Sequence, residues 1–344
     1  MSCTDPLRIR EPAELVAALP YLLGFHPRES LVLVATGGPS GRRLGLTLRV
    51  DLPPPEHAAE VADAAVQGLM VDAPAGAAVV VVAAGADPPS RPLVEHVVAR
   101  LGARDVDVHT VLWAAATTDG ASWRCYDERR CCGGVLPDPA TTVTAVTAVA
   151  GGAVARADRS DLERHVTAAD GTRLGRRESM IVAEHDRIVD GAAAPVDRAE
   201  ALATVDAALD DAAAGRLTLD DDRVVALAVA LSDPWVRDTA MLRGTGPLAA
   251  AAEHLWAALC RETPDPEAAE PAALLAVSAL LRGDGALAHV ALDRAEQAWP
   301  GHRLTGLLRQ VTDVGIRPGA FRACLGTGIS RAEDISVAPG RRIG

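Results

Sequence analysis

Lysine is absent from the 344 residues, so every basic side chain is an arginine. That absence excludes pyridoxal phosphate chemistry and any other mechanism that runs through a lysine Schiff base. Aromatic residues are nearly as scarce: five Trp, two Tyr and two Phe leave few ring faces for stacking nucleobases. Positive charge is in deficit, since 34 basic against 46 acidic side chains give a net charge of -12 and a pI near 5.2. A chain this acidic repels phosphate backbones and anionic membranes, so neither nucleic acid nor membrane is an expected partner. Long hydrophobic runs are missing too. The longest, Gly76 to Ala86, is about half of the ~20 residues a spanning helix needs. Met1 to Pro6 show neither the basic nor the apolar stretch of a secretory signal. Six cysteines are too sparse for a disulfide scaffold, so a reduced, cytoplasmic location is expected.

What is present suffices for two domains, because 49% hydrophobic residues and a mean hydropathy of +0.13 can supply two cores. From Ser30 to Tyr126, short β-branched runs alternate with longer alanine-rich stretches, the written form of strands and helices in turn. Leu31 to Thr36 and Leu44 to Asp51 form an antiparallel hairpin around the Gly37 to Arg42 loop. A helix from His57 to Met70, a strand from Ala77 to Ala84, a helix from Ser90 to Leu101 and a strand from Val106 to Ala115 follow. The strands at 44–51, 77–84 and 106–115 are joined by helical crossovers, which makes them parallel. Residues 1–155 are therefore expected to be a three-layer α/β sandwich with a mostly parallel sheet and an antiparallel edge hairpin.

From Asp158 onward the pattern is helical. Ser160 and Glu163 have capping-box spacing, and Pro234, Pro247 and Pro271 sit where first-turn prolines belong. Residues 156–325 are read as an all-α domain of helical hairpins, and the Gly- and Arg-rich 326–344 as a disordered tail. Leu275, the turn Gly283-Asp284-Gly285, then Ala288, Leu292, Ala295 and Pro300 partly match a tetratricopeptide unit over 271–300. A single copy falls short of the roughly three repeats a free solenoid needs. The pair is either a helical hairpin within the domain or one wall of a peptide-binding groove.

The chemistry-bearing residues fall into two groups. Ligands in open parallel sheets lie beyond the carboxyl ends of the strands, which points to Arg49, Asp51, Asp87, Trp113 and Thr117. Arg49 and Asp51, two apart on one strand, share a face and either pair with each other or meet a polar ligand. The segment Pro20 to Pro27 leads into the first strand: either Tyr21, Leu22 and Phe25 simply plug the sheet while Gly24 permits a turn, or His26 and Ser30 face a small anionic ligand at the sheet edge. The second group is Cys125, Cys131 and Cys132, three of the six cysteines within eight residues. They would need a fourth ligand such as His109 or His26 to hold zinc. Arg124, Arg129 and Arg130 would lower thiol pKa values and favour redox or nucleophilic chemistry; otherwise the cysteines are structural. No Walker lysine, Gly-x-Gly-x-x-Gly, Gly-x-Ser-x-Gly or His-Glu-x-x-His motif occurs. No cofactor beyond that zinc is implied.

Several segments resemble an actinobacterial family, domain of unknown function 4192. They are Pro12-Ala13-Glu14-Leu15, Pro20-Tyr21-Leu22-Leu23-Gly24-Phe25, Ser30-Leu31-Val32, Arg49-Val50-Asp51-Leu52-Pro53, Cys131-Cys132, Val236-Arg237-Asp238, Glu270 to Ala276 and Gly285 to Pro300. Family patterns typically continue the cysteine pair with proline, whereas this chain has Gly133-Gly134. The resemblance implies an intracellular protein and carries no activity. The residues themselves point to a cytoplasmic binding or regulatory protein, with a small-molecule or protein partner at the sheet edge and an interaction surface on the helical domain. The alternative is a hydrolase or transferase that uses Asp51, His26 or a loop cysteine at the same edge.

Overall fold

The structure, a computed structural model, describes residues 11–37, 43–126, 132–150, 155–190, 197–315 and 318–325. It divides into two compact units between Asp161 and Leu162. The N-terminal unit holds one six-stranded sheet. Its strands are Ser30–Gly37 (β1), Arg43–Asp51 (β2), Gly76–Val82 (β3), Asp107–Ala114 (β4), Ser122–Cys125 (β5) and Gly133–Val135 (β6), in the order β2-β1-β3-β4-β5-β6.

The sheet is mixed and mostly antiparallel, which corrects the expectation of a mostly parallel one. Only β3 and β4 pair in parallel; the other neighbours are antiparallel. The strands at 44–51, 77–84 and 106–115 do run the same way, but β1 lies between β2 and β3 and pairs with both. The burial pattern agrees: Leu31 to Ala35 are all 0% exposed, as in a strand covered on both faces, whereas β2 is partly exposed along its length, as at an edge.

Each face of the sheet has its own cover. Ala58–Met70 (α2) and Arg91–Gly102 (α3) turn Ala62, Val66, Leu69, Leu93, Val97 and Leu101 onto Leu31, Leu33, Val79 and Val81. Their 3–4-residue spacing builds one apolar stripe per helix. The alternating set Val32, Val34, Val80, Val82 and Leu112 is buried on the other face. There Pro12–Leu23 (α1) crosses β2 and β4 and packs on Val143–Ala150 (α4).

The C-terminal unit is helical. Arg159–Val166 (α5) begins at the junction and is followed by Gly171–Val189 (α6), Arg198–Ala213 (α7), Asp221–Ser232 (α8) and Pro234–Arg243 (α9). Ala249–Glu262 (α10), Ala269–Arg282 (α11), Gly285–Ala298 (α12) and Arg303–Val314 (α13) complete it. The cap of α5 is Asp158 rather than Ser160: the Asp158 carboxylate accepts the Asp161 N–H at 3.1 Å, while Asp161 accepts the Asp158 N–H at 3.2 Å. Helices α11 and α12 form the tightest pair, with Ala272, Ala276, Ala279, Ala288, Ala291 and Ala295 all 0% exposed. Small side chains there let the two backbones approach. Gly283 ends α11 at φ 86°, where a side chain would be strained, and Asp284 caps α12 through the Leu287 N–H at 2.9 Å.

Two buried polar clusters tie the helices together. Arg177 of α6 is 1% exposed and donates to the Asp221 and Glu262 carboxylates and to the carbonyls of Glu262 and Leu219. Glu270 of α11 receives Arg237 at 3.3 Å and stands 3.3 Å from His302, whose other ring nitrogen is 2.8 Å from the Thr305 hydroxyl. The tail expected to be disordered, 326–344, lies outside the described residues.

Candidate functional site

In this sheet the carboxyl ends of β2, β3 and β4 share an edge with the amino end of the antiparallel β1. Ser30 stands opposite both Asp51 and Val82, and Val82 opposite Ala114. Five of the sequence-derived residues meet along that edge: His26, Ser30, Arg49, Asp51 and Thr117.

Arg49 is engaged within the protein through Nε and Nη2. Its Nε donates to the Ser30 hydroxyl at 2.7 Å, and its Nη2 contacts the Arg28 carbonyl at 3.4 Å and pairs with the Asp51 carboxylate. The Ser30 hydroxyl, on a residue 0% exposed, donates a hydrogen bond to the Arg28 carbonyl at 2.6 Å. These bonds make Arg49 a strut that holds the turn before β1 in place. Asp51, with 80% of its side chain exposed, adds little to stability through that pairing.

The turn is fastened from two further directions. The Glu29 carbonyl accepts the Leu52 N–H and its carboxylate accepts the Ala84 N–H, each at 2.9 Å. Glu29 itself adopts φ 42°, a strained value for a non-glycine residue. On the other side, His26 N–H donates to the Arg156 carbonyl at 3.0 Å, and Arg156 N–H to Gly24 at 2.9 Å. Gly24 ends α1 in the left-handed region at φ 79° and turns the chain toward the sheet.

The His26 ring is thereby presented at the edge, with Nδ1 2.8 Å from the Thr117 hydroxyl. Thr117 is 1% exposed, while His26 is half-buried. Burial holds the His26 pKa below its ordinary 6.5, outweighing the upward pull of Thr117, and the nearby Arg28 guanidinium pushes the same way as burial. The imidazole is therefore neutral at pH 7. Its Nε2 and the exposed Arg28 guanidinium have no hydrogen-bond or ion-pair partner among the described residues. Arg28 and Glu29 were missed in the sequence. The signal was their place at the amino end of the first strand, which an antiparallel neighbour brings to the same edge as the carboxyl ends.

The other residues stand apart. Asp87, on the loop after β3, pairs with Arg124 of β5 at 3.2 Å. Trp113 is 0% exposed and donates its indole N–H to the Ala83 carbonyl at 3.0 Å, so it is a core strut beyond a ligand's reach. Cys125 and Cys132 are joined as a disulfide across β5 and the start of β6, with Cα atoms 5.8 Å apart. While paired in this way the two sulfurs are not thiolate donors for a metal, and of the roles the sequence left open a structural or redox one fits the bond. Cys131 lies outside the described residues. Among the described residues no group of three or more His, Cys, Asp or Glu side chains is placed to hold a metal ion.

A cavity of about 550 Å³ lies in the same unit between α3 and β4, lined by Arg91, Glu95, His109, Cys125 and Tyr126 among others. Its polar groups are largely spent on the protein: the Tyr126 hydroxyl donates to the Pro89 carbonyl at 2.5 Å, and His109 sits 3.0 Å from Asp107. The sheet edge, with an open imidazole nitrogen beside an open guanidinium, has more to offer a ligand.

A family model described as Domain of unknown function (DUF4192) matches residues 12–319. Neither the curated proteins nor the solved structures yield a match to the chain.

Proposed function

The chain belongs to the DUF4192 family, and since that description names no activity we propose, from the chain's own geometry, a binding or regulatory protein whose N-terminal unit takes a small anionic ligand at the sheet edge. The observation that carries the reading is the pairing of a neutral imidazole with an uncommitted arginine on a turn fixed from three sides. Arg28 supplies the charge and His26 Nε2 a directional hydrogen bond; binding an anion would favour protonation of His26 and strengthen the contact. Because the turn is fixed in advance, the ligand meets a preorganised surface.

The same proposal gives the helical unit a protein partner, with the α11–α12 hairpin read as tetratricopeptide-like and Trp235, Trp299 and Leu307 as exposed apolar contacts. It places the protein in the cytoplasm, an inference that rests on the sparse cysteines of the sequence; no helix among the described residues is long and apolar enough to cross a membrane. A hydrolase or transferase at this edge has weaker support. Thr117 is too buried to act as a nucleophile, Asp51 is committed to Arg49, and Cys125 is in a disulfide.

Thermal unfolding of the full chain with inorganic phosphate and with malonate tests the ligand reading. A rise in melting temperature with either anion, lost in Arg28→Ser and His26→Gln, supports it. The absence of any rise, or a rise unchanged in both variants, refutes it.

A further inference from the structure

The disulfide between Cys125 and Cys132 lies at one end of the six-stranded sheet, where the last strand has little else to hold it. Strand β6 is three residues long, two of them glycine, and pairs with β5 through Ser122 with Val135, Trp123 with Gly134 and Arg124 with Gly133. Glycines bring no side chain to pack, and Val135 is 67% exposed. Leu136, 2% exposed, anchors the far end of the strand, and the disulfide anchors the near end. A pairing this short is marginal when fixed at one end only, since even a complete isolated hairpin barely holds in water. The bond therefore decides how firmly β6 stays on the sheet.

What β6 covers is Trp123, which is 8% exposed. Gly134 lies so near that a Cβ there would stand 3.5 Å from the Trp123 Nε1, and a Cβ at Gly133 would come within 2.9 Å of the Trp123 carbonyl. The two glycines permit this close approach.

The bond is also open to a reagent. Cys132 is exposed, and half-buried Cys125 lines the 550 Å³ cavity between α3 and β4. The closed loop is short, with a sequence separation of 7, so losing the bond removes little of the unit's stability and its effect is local. In a reducing compartment a disulfide is a transient, redox-sensing bond rather than a permanent staple; this step rests on the cytoplasmic reading, and the others rest on geometry.

We propose that Cys125 and Cys132 form a thiol–disulfide exchange site, at which a low-molecular-weight thiol frees β6 and uncovers Trp123. The thiolate of one small thiol attacks the exposed Cys132 sulfur, forms a mixed disulfide and expels the Cys125 thiolate. A second attacks the small-thiol sulfur of that mixed disulfide and expels the Cys132 thiolate, leaving a small-molecule disulfide. Two electrons pass from the small thiols to the pair; each attacking thiol gives up a proton and each expelled thiolate takes one up. The small-molecule disulfide runs the same steps backwards and restores the cover.

The test uses the full chain with Cys131→Ser, which keeps the pair and removes the neighbouring thiol. It is equilibrated in glutathione buffers poised from cytosolic to oxidising, alkylated and read by mass spectrometry, with amide exchange measured on the same samples. The pair is expected to be reduced at the cytosolic poise and to re-form with oxidised glutathione. Amides of β6 should exchange about tenfold or more faster in the reduced form and regain protection on reoxidation, while β3 is unchanged. Acrylamide should quench more fluorescence after reduction, and Trp123→Phe should abolish that increment. Location is read separately by cell fractionation, so a failure of the cytoplasmic reading and a failure of the exchange are told apart. A bond that persists at the cytosolic poise, thiols that do not re-form it, or reduction that leaves β6 protected overturns the proposal.

Discussion

Replacing Arg177 with methionine removes the most heavily bonded buried charge of the helical unit while nearly keeping its volume. Four acceptors lose a donor: the Asp221 carboxylate at 2.8 Å, the Glu262 carboxylate at 2.5 Å, the Glu262 carbonyl at 2.7 Å and the Leu219 carbonyl at 3.1 Å. The carboxylates keep a second partner each, Arg176 on Asp221 at 2.5 Å and Arg173 on Glu262 at 2.9 Å. The main loss is therefore the two carbonyls, at ~1–3 kcal/mol for each buried group left unsatisfied, reduced by no longer having to bury the guanidinium. A net destabilisation of about 3 kcal/mol follows, or roughly a hundredfold in the opening equilibrium. The assay is hydrogen exchange read by mass spectrometry on peptides from α6 and α8, which reports on the helical unit by itself. Arg176→Ala, at a half-exposed ion pair, should change protection by less than ~1 kcal/mol. Unchanged protection in Arg177→Met, or an equal loss in Arg176→Ala, would refute the reasoning. Acid extends the test. Hydrogen bonds from Arg176 and then Arg177 hold the Asp221 pKa below its ordinary 3.8, so its contribution is complete above that value and is lost as pH falls through the depressed one. In Arg177→Met that loss should begin at higher pH.

Three further outcomes are expected. The His26 pKa measured by NMR should lie below 6.5 and rise in Arg28→Ala, because a nearby positive charge is removed; a folded-state pKa below the unfolded one also means that the N-terminal unit loses stability as pH falls through 6.5 toward the lower value. Gly76→Ala should destabilise that unit by about 1–3 kcal/mol, since the added Cβ would strike the His109 imidazole and lie 2.9 Å from the buried Thr36 hydroxyl; His109→Ala should recover part of the loss, and purely additive effects would contradict the contact. Cys125 and Cys132 should resist alkylation in unreduced, unfolded protein and react after reduction, and Cys125→Ser with Cys132→Ser should cost about 2 kcal/mol for so short a loop.

The sequence disclosed elements whose apolar residues follow a period. The β1–β2 hairpin, α2, α3 and the α11–α12 pair stand within two residues of their expected bounds, because each buries a stripe that its spacing spells out. Sheet order was not legible in the same way. A crossover helix shows that β2 and β3 run alike but not whether another strand lies between them; the uninterrupted Leu31 to Ala35 run was the clue that β1 is internal. Helix α6 escaped notice because it is charged along most of its length and buries only Arg177 and Ile181 closely. Strand β5 is four residues long and β6 three, too short for alternation to register. At the site, Arg49 and Asp51 could be paired from their spacing, whereas the meeting of His26 with Thr117, 91 positions apart, depends on the completed sheet.

The account's central claim, an anion held by His26 and Arg28 at the sheet edge, is tested most directly by the NMR titration of the His26 imidazole with and without inorganic phosphate. Phosphate is expected to shift the His26 resonance saturably and to raise its pKa, with both effects lost in Arg28→Ala. A His26 titration that phosphate leaves unmoved would contradict the claim.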